Sequence, residues 1–173
     1  MQGKLIDDSE ERWVCMEVKK IFFDMDGVLA DFGRGVEELC GLDRDCDDDL
    51  MWEAIKNVEN YYDRLEWIPT GKDMIRYAVD KYGVSVVEIL SAIPKPKRGI
   101  VTAEDDKRSW IAREFPDMKV NIVLRAEKKA YCTGKDCILI DDLKNNIEEW
   151  EACGGTGIWC DDAANAFEIL KNL

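Results

Sequence analysis

The sequence predicts a three-layer α/β fold with a mostly parallel sheet, and three observations carry that expectation. Five short apolar runs, at residues 18–23, 84–90, 120–124, 137–140 and 157–160, have the length and the β-branched and aromatic content of buried strands. Stretches of helical periodicity separate them, the alternation that builds a parallel sheet covered on both faces. Chemistry-bearing residues also recur at successive strand ends: two acids, a hydroxyl, a lysine and two acids. In open α/β sheets the carboxyl edge is where ligands bind. At 173 residues the chain has room for one core and a small insertion.

Taken in order, residues 1–17 are polar and acidic apart from Trp13-Val14-Cys15 and form an extension whose role the sequence leaves open, an extra edge strand or a disordered lead. The first strand then ends on Asp24-Met25-Asp26-Gly27. Alternate positions of an extended chain can bring Asp24 and Asp26 to one small site, and Gly27 marks a sharp turn. An Asp-x-Asp pair there suits phosphorus chemistry: the first carboxylate attacks, and the second passes a proton to the leaving oxygen and takes one from water. Both carboxylates suit Mg²⁺, a hard cation that bridges them to phosphate oxygens. An EF-hand calcium loop is excluded, because counting from Asp24 the glycine falls fourth and Val28 occupies the fifth position. An acidic turn without chemistry is the alternative these residues leave open.

Asp24-Met25-Asp26-Gly27-Val28 with Asp31 resembles the first motif of the haloacid dehalogenase superfamily of phosphatases. The longer string through Leu29, Ala30 and Phe32 is similar to the 5′(3′)-deoxyribonucleotidase branch. The resemblance implies a Rossmann-like core at residues 18–32 and 70–173, with a small helical cap at 33–69 inserted after the first strand. It also implies Asp24 as nucleophile, Asp26 as acid and base, and Mg²⁺ as cofactor.

In the cap segment Val36, Leu39 and Cys40 share one face of a first helix that Gly41 would stop. An acidic loop at 43–49 precedes a second helix carrying Leu50, Met51, Trp52, Ile55 and Val58, and Asp47-Asp48-Asp49 reads as a solvated helix start rather than a metal site. Trp52, Tyr61, Tyr62 and Trp67 could stack on a nucleobase or pack the cap's own core. The stretch at 60–69, with its Asn-aromatic-aromatic start and Pro69 at its end, resembles the deoxyribonucleotidase exit from the cap.

A helix at 71–82 follows, ended by Gly83, and the second strand leads to Ser91, placed where the superfamily keeps Ser or Thr to hold phosphate. Residues 94–99 form a stiff basic loop, read as solvated or as an anion collector. The helix at 104–115 carries Lys107 three residues before Trp110, the nucleotidase pattern, which would aim Lys107 at the phosphate; an ordinary exposed lysine is the alternative. After the third strand, resemblance assigns the phosphate lysine to Lys128, with Lys129 beside it as the rival. The fourth strand ends on Asp141-Asp142, which by resemblance complete the metal site with Asp24 and Asp26. Asp142 could equally cap the helix at 143–153. Asp161-Asp162 start a last helix bearing Ala163, Ala166, Phe167 and Leu170 on one face.

Composition narrows the function. A net charge of −13 opposes binding to a nucleic-acid duplex. No apolar run reaches membrane-spanning length and the N-terminus lacks a signal peptide's apolar centre, so a cytoplasmic location is expected. Seven cysteines without a Cys-x-x-Cys pair point to reduced thiols. The chain has no histidine, which excludes Ser-His-Asp and Cys-His catalysis and His-ligated zinc. The expectation is a Mg²⁺-dependent phosphomonoester hydrolase working through an aspartyl-phosphate, its small phosphorylated substrate, as the resemblance implies, a nucleoside 5′-monophosphate, deoxyribonucleotides included, with a sugar phosphate or other small metabolite as the alternative and a homodimer as a possible assembly. Rivals of another class are a receiver-like signalling module, whose order of acids and lysine differs and which lacks an insertion at 33–69, and a catalytically idle scaffold.

Overall fold

The computed structural model describes residues 18–173, so the extension at 1–17, with Cys15, lies outside the described residues. The elements are β1 (Lys20–Phe23), α1 (Phe32–Cys40), α2 (Asp48–Lys56), α3 (Pro69–Tyr82), β2 (Val87–Ala92), α4 (Ala103–Ala112), β3 (Lys119–Val123), β4 (Cys137–Asp141), α5 (Lys144–Ala152), β5 (Thr156–Trp159) and α6 (Ala163–Lys171). Short 3-10 helices occupy Tyr62–Arg64, Pro96–Arg98 and Arg125–Tyr131. All five strands are parallel, in the order β3-β2-β1-β4-β5, the Rossmann-like arrangement. A receiver module follows the flavodoxin-like order 2-1-3-4-5, which the central position of β1 excludes.

The strand boundaries shift from those the apolar runs predict, and the shifts have local causes. Strand β2 starts at Val87 rather than residue 84, because Gly83 turns the chain and Val86 N–H bonds back to the Gly83 carbonyl. It runs on through Ser91 and Ala92, so Ser91 belongs to the strand, paired beside Ile122 of β3. Asp141 likewise closes β4 and pairs with Trp159. The predicted helix at 104–115 ends at Ala112, and residues 113–114 continue as a turn. The 3-10 segment over Arg125–Tyr131 has no counterpart in the sequence reading, since its charged residues carry no apolar period.

Side chains of β1 alternate across the sheet, as a strand's period of two requires. Ile21 and Phe23 enter one large core with Val36, Met74, Ile75, Ala78, Trp110 and Leu170. Phe22 enters a smaller one with Leu90, Leu139, Ile147 and Trp150. On the large side α3 meets α6, the Tyr77 and Phe167 rings 5.5 Å apart, and on the small side Trp150 of α5 lies 5.5 Å from Phe22. Three layers result.

The helical insertion leaves and rejoins the sheet at one place. Asp31 N–H bonds the Glu66 carbonyl at 2.9 Å, and Ile68 N–H bonds the Leu29 carbonyl at 2.7 Å. Gly71, in the first turn of α3, presses so closely on Val28 that an added Cβ would collide with the Val28 carbonyl. Helix α3 is thereby seated directly on the turn that follows Asp26.

At the outer part of the small core Glu88 is buried among Lys20 at 2.5 Å, Asn121 Nδ2 at 3.0 Å and Lys119 at 3.1 Å. Burial alone would raise its carboxyl, but these donors outweigh it and hold it below the ordinary carboxylate range. Its stabilising contribution is therefore present above the unfolded-state pKa and is lost as pH falls through the folded one. Glu88→Gln should cost about 2 kcal/mol at neutral pH. In urea melts the deficit against wild type should shrink below about pH 4.

Candidate active site

The strand order puts a topological switch point between β1 and β4, where the chain has gone one way through β2 and β3 and returns to add β4 and β5 on the other side. Phe23 and Ile140 are register partners, so the residues that follow them, Asp24 and Asp141, emerge side by side. Oxygen atoms of Asp24, Asp141 and Asp142 all lie within 4.8 Å of one another.

Lys128, almost wholly buried, sits between two of these acids, its Nζ 2.6 Å from Asp141 Oδ2 and 3.0 Å from Asp24 Oδ1. Burial opposes its charge, yet the two carboxylates prevail and raise its pKa above the ordinary lysine value. Lys129 is half exposed and reaches Glu149 instead, so of the two neighbours Lys128 is the one at the site. The 3-10 winding over Arg125–Tyr131 sends adjacent lysines in different directions.

Each acid has its own role in the packing. Asp24 Oδ1 also accepts from Met25 N–H at 2.8 Å. Asp141 is the most heavily held: besides Lys128 it accepts from Leu143 N–H and from Asn146 Nδ2, each at 2.9 Å. The helix-capping role considered for Asp142 is not filled by a side chain: Leu143 is the N-cap of α5 and has no side-chain cap hydrogen bond, and Asp141 holds the Leu143 amide just ahead of the helix. Asp142 receives no hydrogen bond to its carboxylate among the described residues. Burial, then the charges of Asp24 and Asp141, push its carboxyl up to about 7.

Three acids against one lysine leave an excess of negative charge around oxygen donors alone, which suits a hard divalent cation such as Mg²⁺. Asp24, Asp141 and Asp142 could hold a metal ion. Asp26, grouped with them as a ligand in the sequence reading, points elsewhere: its Oδ2 lies 2.6 Å from Lys107 Nζ, while its buried Oδ1 has no hydrogen-bond partner.

Lys107 is buried completely, contrary to the ordinary exposed-lysine alternative. Its Nζ also lies 2.9 Å from Ser91 Oγ, 3.0 Å from the Ala92 carbonyl and 4.6 Å from the centre of the Tyr62 ring. Helix α4 delivers it across the end of β2, so one ammonium links the second acid of the Asp-x-Asp pair to the strand hydroxyl. Burial raises the Asp26 carboxyl and Lys107 pulls it down, leaving it above the ordinary value.

A cleft of about 800 Å³ opens from Asp26. Its walls come from Trp52 of α2, Tyr62, the segment from Ala92 to Arg98, Leu124 to Ala126 and Leu143. Of the four aromatics proposed for base stacking, Tyr61 and Tyr62 are buried in the large core and Trp67 stacks on Trp110 with ring centres 3.9 Å apart. Trp52 stands in the cleft wall with Arg98 over its ring at 5.7 Å. The three Asp residues at the start of α2 are structural, as expected: Asp47 caps the helix and Asp48 and Asp49 pair with Arg98.

No family model matches the sequence, and no curated relative does. A solved structure described as a hydrolase from Streptococcus pneumoniae TIGR4 is similar over 90% of this chain and 100% of its own, with a TM-score of 0.50 and 14% identity. That likeness shows the fold. What the site can do therefore rests on its own residues.

Sequence reasoning missed Asn146, which orients Asp141 from one turn along α5, and Trp159, whose Nε1 donates to the Asp142 carbonyl at 2.9 Å. Both act across a turn or between strands, and neither belongs to a recognisable spacing. Among the described residues the six cysteines are free and none is in the acidic cluster. No helix there is long and apolar enough to cross a membrane.

Gly27 explains the tight approach of the two acidic turns. Its φ is +77°, and an added Cβ would collide with the Asp142 carboxylate. Gly27→Ala should displace Asp142 and cost about 1–3 kcal/mol of stability. Mg²⁺ titration followed by calorimetry should show clearly weaker binding than in wild type.

Proposed function

We propose that the protein is a Mg²⁺-dependent phosphomonoester hydrolase that works through an aspartyl-phosphate. The observation that carries this reading is the pairing of Asp24 with Asp141 and Asp142 around Lys128, with Asp26 one strand-residue repeat further on beside Lys107 and Ser91.

In this mechanism Asp24 attacks phosphorus in line with the departing alkoxide. Its Oδ1 is fixed by Met25 N–H and Lys128, so Oδ2 is the attacking atom. Asp26, kept above the ordinary carboxylate pKa by burial, donates a proton to the alkoxide oxygen and then accepts one from the water that hydrolyses the aspartyl-phosphate. Lys128 and Ser91 hold phosphoryl oxygens, and Lys107 sets the position of both Asp26 and Ser91. Asp24, Asp141 and Asp142 would hold the Mg²⁺ ion, which would supply charge neutralisation during phosphoryl transfer. The insertion and the loop at 94–99 border the cleft and limit access of water.

A nucleoside 5′-monophosphate is the substrate favoured by the resemblance of the motif, supported by Trp52 as a stacking face on the cleft. A sugar phosphate or another small phosphorylated metabolite is the second reading, supported by the burial of Tyr61 in the core and the stacking of Trp67 on Trp110.

Phosphate release from an aryl phosphate and from a panel of nucleotides and sugar phosphates should require Mg²⁺ and stop with a chelator. Asp24→Asn should lower kcat by about 10⁴-fold or more while the far-ultraviolet spectrum is retained. Persistent turnover in that variant would overturn the nucleophile. Lys128→Met should lose about 10²-fold or more in kcat/KM, whereas Lys129→Met should stay within about twofold of wild type.

A further inference from the structure

The cleft reverses the sign of the rest of the chain. The protein carries 37 acidic and 24 basic residues, yet the cleft is lined by Lys95, Lys97, Arg98 and Arg125 against Asp26 and Asp48. Two of these cations are already spent: Arg98 pairs with Asp48 at 2.6 Å and Asp49 at 2.5 Å, and Arg125 is held by Asn146 at 2.8 Å and Glu149 at 3.2 Å. Lys95 and Lys97 are exposed and make no ion pair among the described residues.

Their backbone is nonetheless built rather than loose. Pro94 and Pro96 alternate with them, Ile93 N–H bonds the Val123 carbonyl at 2.8 Å, and Arg98 N–H closes a turn on the Lys95 carbonyl at 2.8 Å. The Arg98 clamp on α2 then fixes this loop against the insertion. A volume of about 800 Å³ also exceeds what a phosphoryl group needs, and Trp52, Ile93, Leu124 and Leu143 supply apolar wall to the cleft that Asp26 and the two lysines share.

We propose that Lys95 and Lys97 form a second anion subsite, and that the substrate is a phosphomonoester whose organic part carries a second negatively charged group, a carboxylate or another phosphate. The inference rests on the phosphomonoesterase reading for the first subsite and, in naming the substrate class, takes the small-metabolite reading over a nucleoside 5′-monophosphate, whose organic part carries no second anion. One anion binds among Ser91, Lys128 and the metal. The second binds at the lysines, and the carbon skeleton between them lies along the apolar wall.

Non-hydrolysable pairs test this without requiring turnover. Calorimetry in Mg²⁺ would compare ω-phosphonoalkanoates of several chain lengths with the n-alkylphosphonates of the same length, and α,ω-bisphosphonates would serve as the phosphate-bearing arm. At one or more chain lengths the second anion should tighten binding about tenfold. In Lys95→Ala/Lys97→Ala, checked for an unchanged melting temperature, the ratio within each pair should collapse towards one. Preference for the carboxylate or for the bisphosphonate identifies which second anion the subsite takes. Equal affinity within every pair, an advantage that survives in the double variant, or no binding of either member would overturn the proposal. Aryl-phosphate hydrolysis measured alongside separates that failure from failure of the phosphatase reading itself.

Discussion

Crowding three carboxylates at the end of a parallel sheet is the constraint on which the rest of the site depends. Like charges in a low-dielectric setting repel strongly, so the arrangement persists only with cations close by. Lys128 reaches two of the three acids, and Asp141 is further held by Asn146 and the Leu143 amide. Asp142 is left with buried acid neighbours and no donor of its own among the described residues, the residual charge that an added metal ion would meet. Fold and site share one origin here: the switch point brings β1 and β4 together, and that adjacency creates both the repulsion and the means of relieving it.

A second ionic group repeats the logic a strand away. Lys107 enters from α4 with no exposure and joins Asp26, Ser91 and the end of β2. Its aliphatic stem runs through the protein interior and the Tyr62 face supports its ammonium, so burial is offset by an acid, a hydroxyl, a carbonyl and a ring. Two lysines from distant parts of the chain thus divide the work: one holds Asp24 and Asp141 together and the other fixes Asp26.

The central strands were legible because each is a short apolar run ending in acids or a hydroxyl, and period-two burial leaves little freedom about which residues face the core. Strand order was not legible from periodicity, since alternation of elements is the same in the 3-2-1-4-5 and 2-1-3-4-5 arrangements; resemblance of the Asp24 motif supplied it. Lys107 and Lys129 illustrate the limit of a one-dimensional reading. Both are lysines in polar stretches, yet one is buried and the other pairs with Glu149, and the difference arises from which turn of α4 or of the 3-10 segment faces the sheet end. The aromatics illustrate it too: Trp67 and Trp52 look alike in composition and both are half-buried, but Trp67 stacks on Trp110 of α4 whereas Trp52 stands in the cleft wall.

The two short hydrogen-bonded ties between Leu29 and Ile68 and between Asp31 and Glu66 have a consequence for variation over evolutionary time. They bring the entry and exit of more than thirty residues to adjacent points on a sheet whose own pairing does not involve them. Closing such a segment costs entropy that grows only slowly with its length. Changes in length around α2 redraw the wall that Trp52 and Asp48 contribute to the cleft, while Tyr62 and Leu65, packed against Lys107 and Trp110 of α4, keep the return of the segment tied to Asp26. Selection can therefore explore new ligands along the α2 wall of the cleft without reopening the electrostatic problem solved around Lys128.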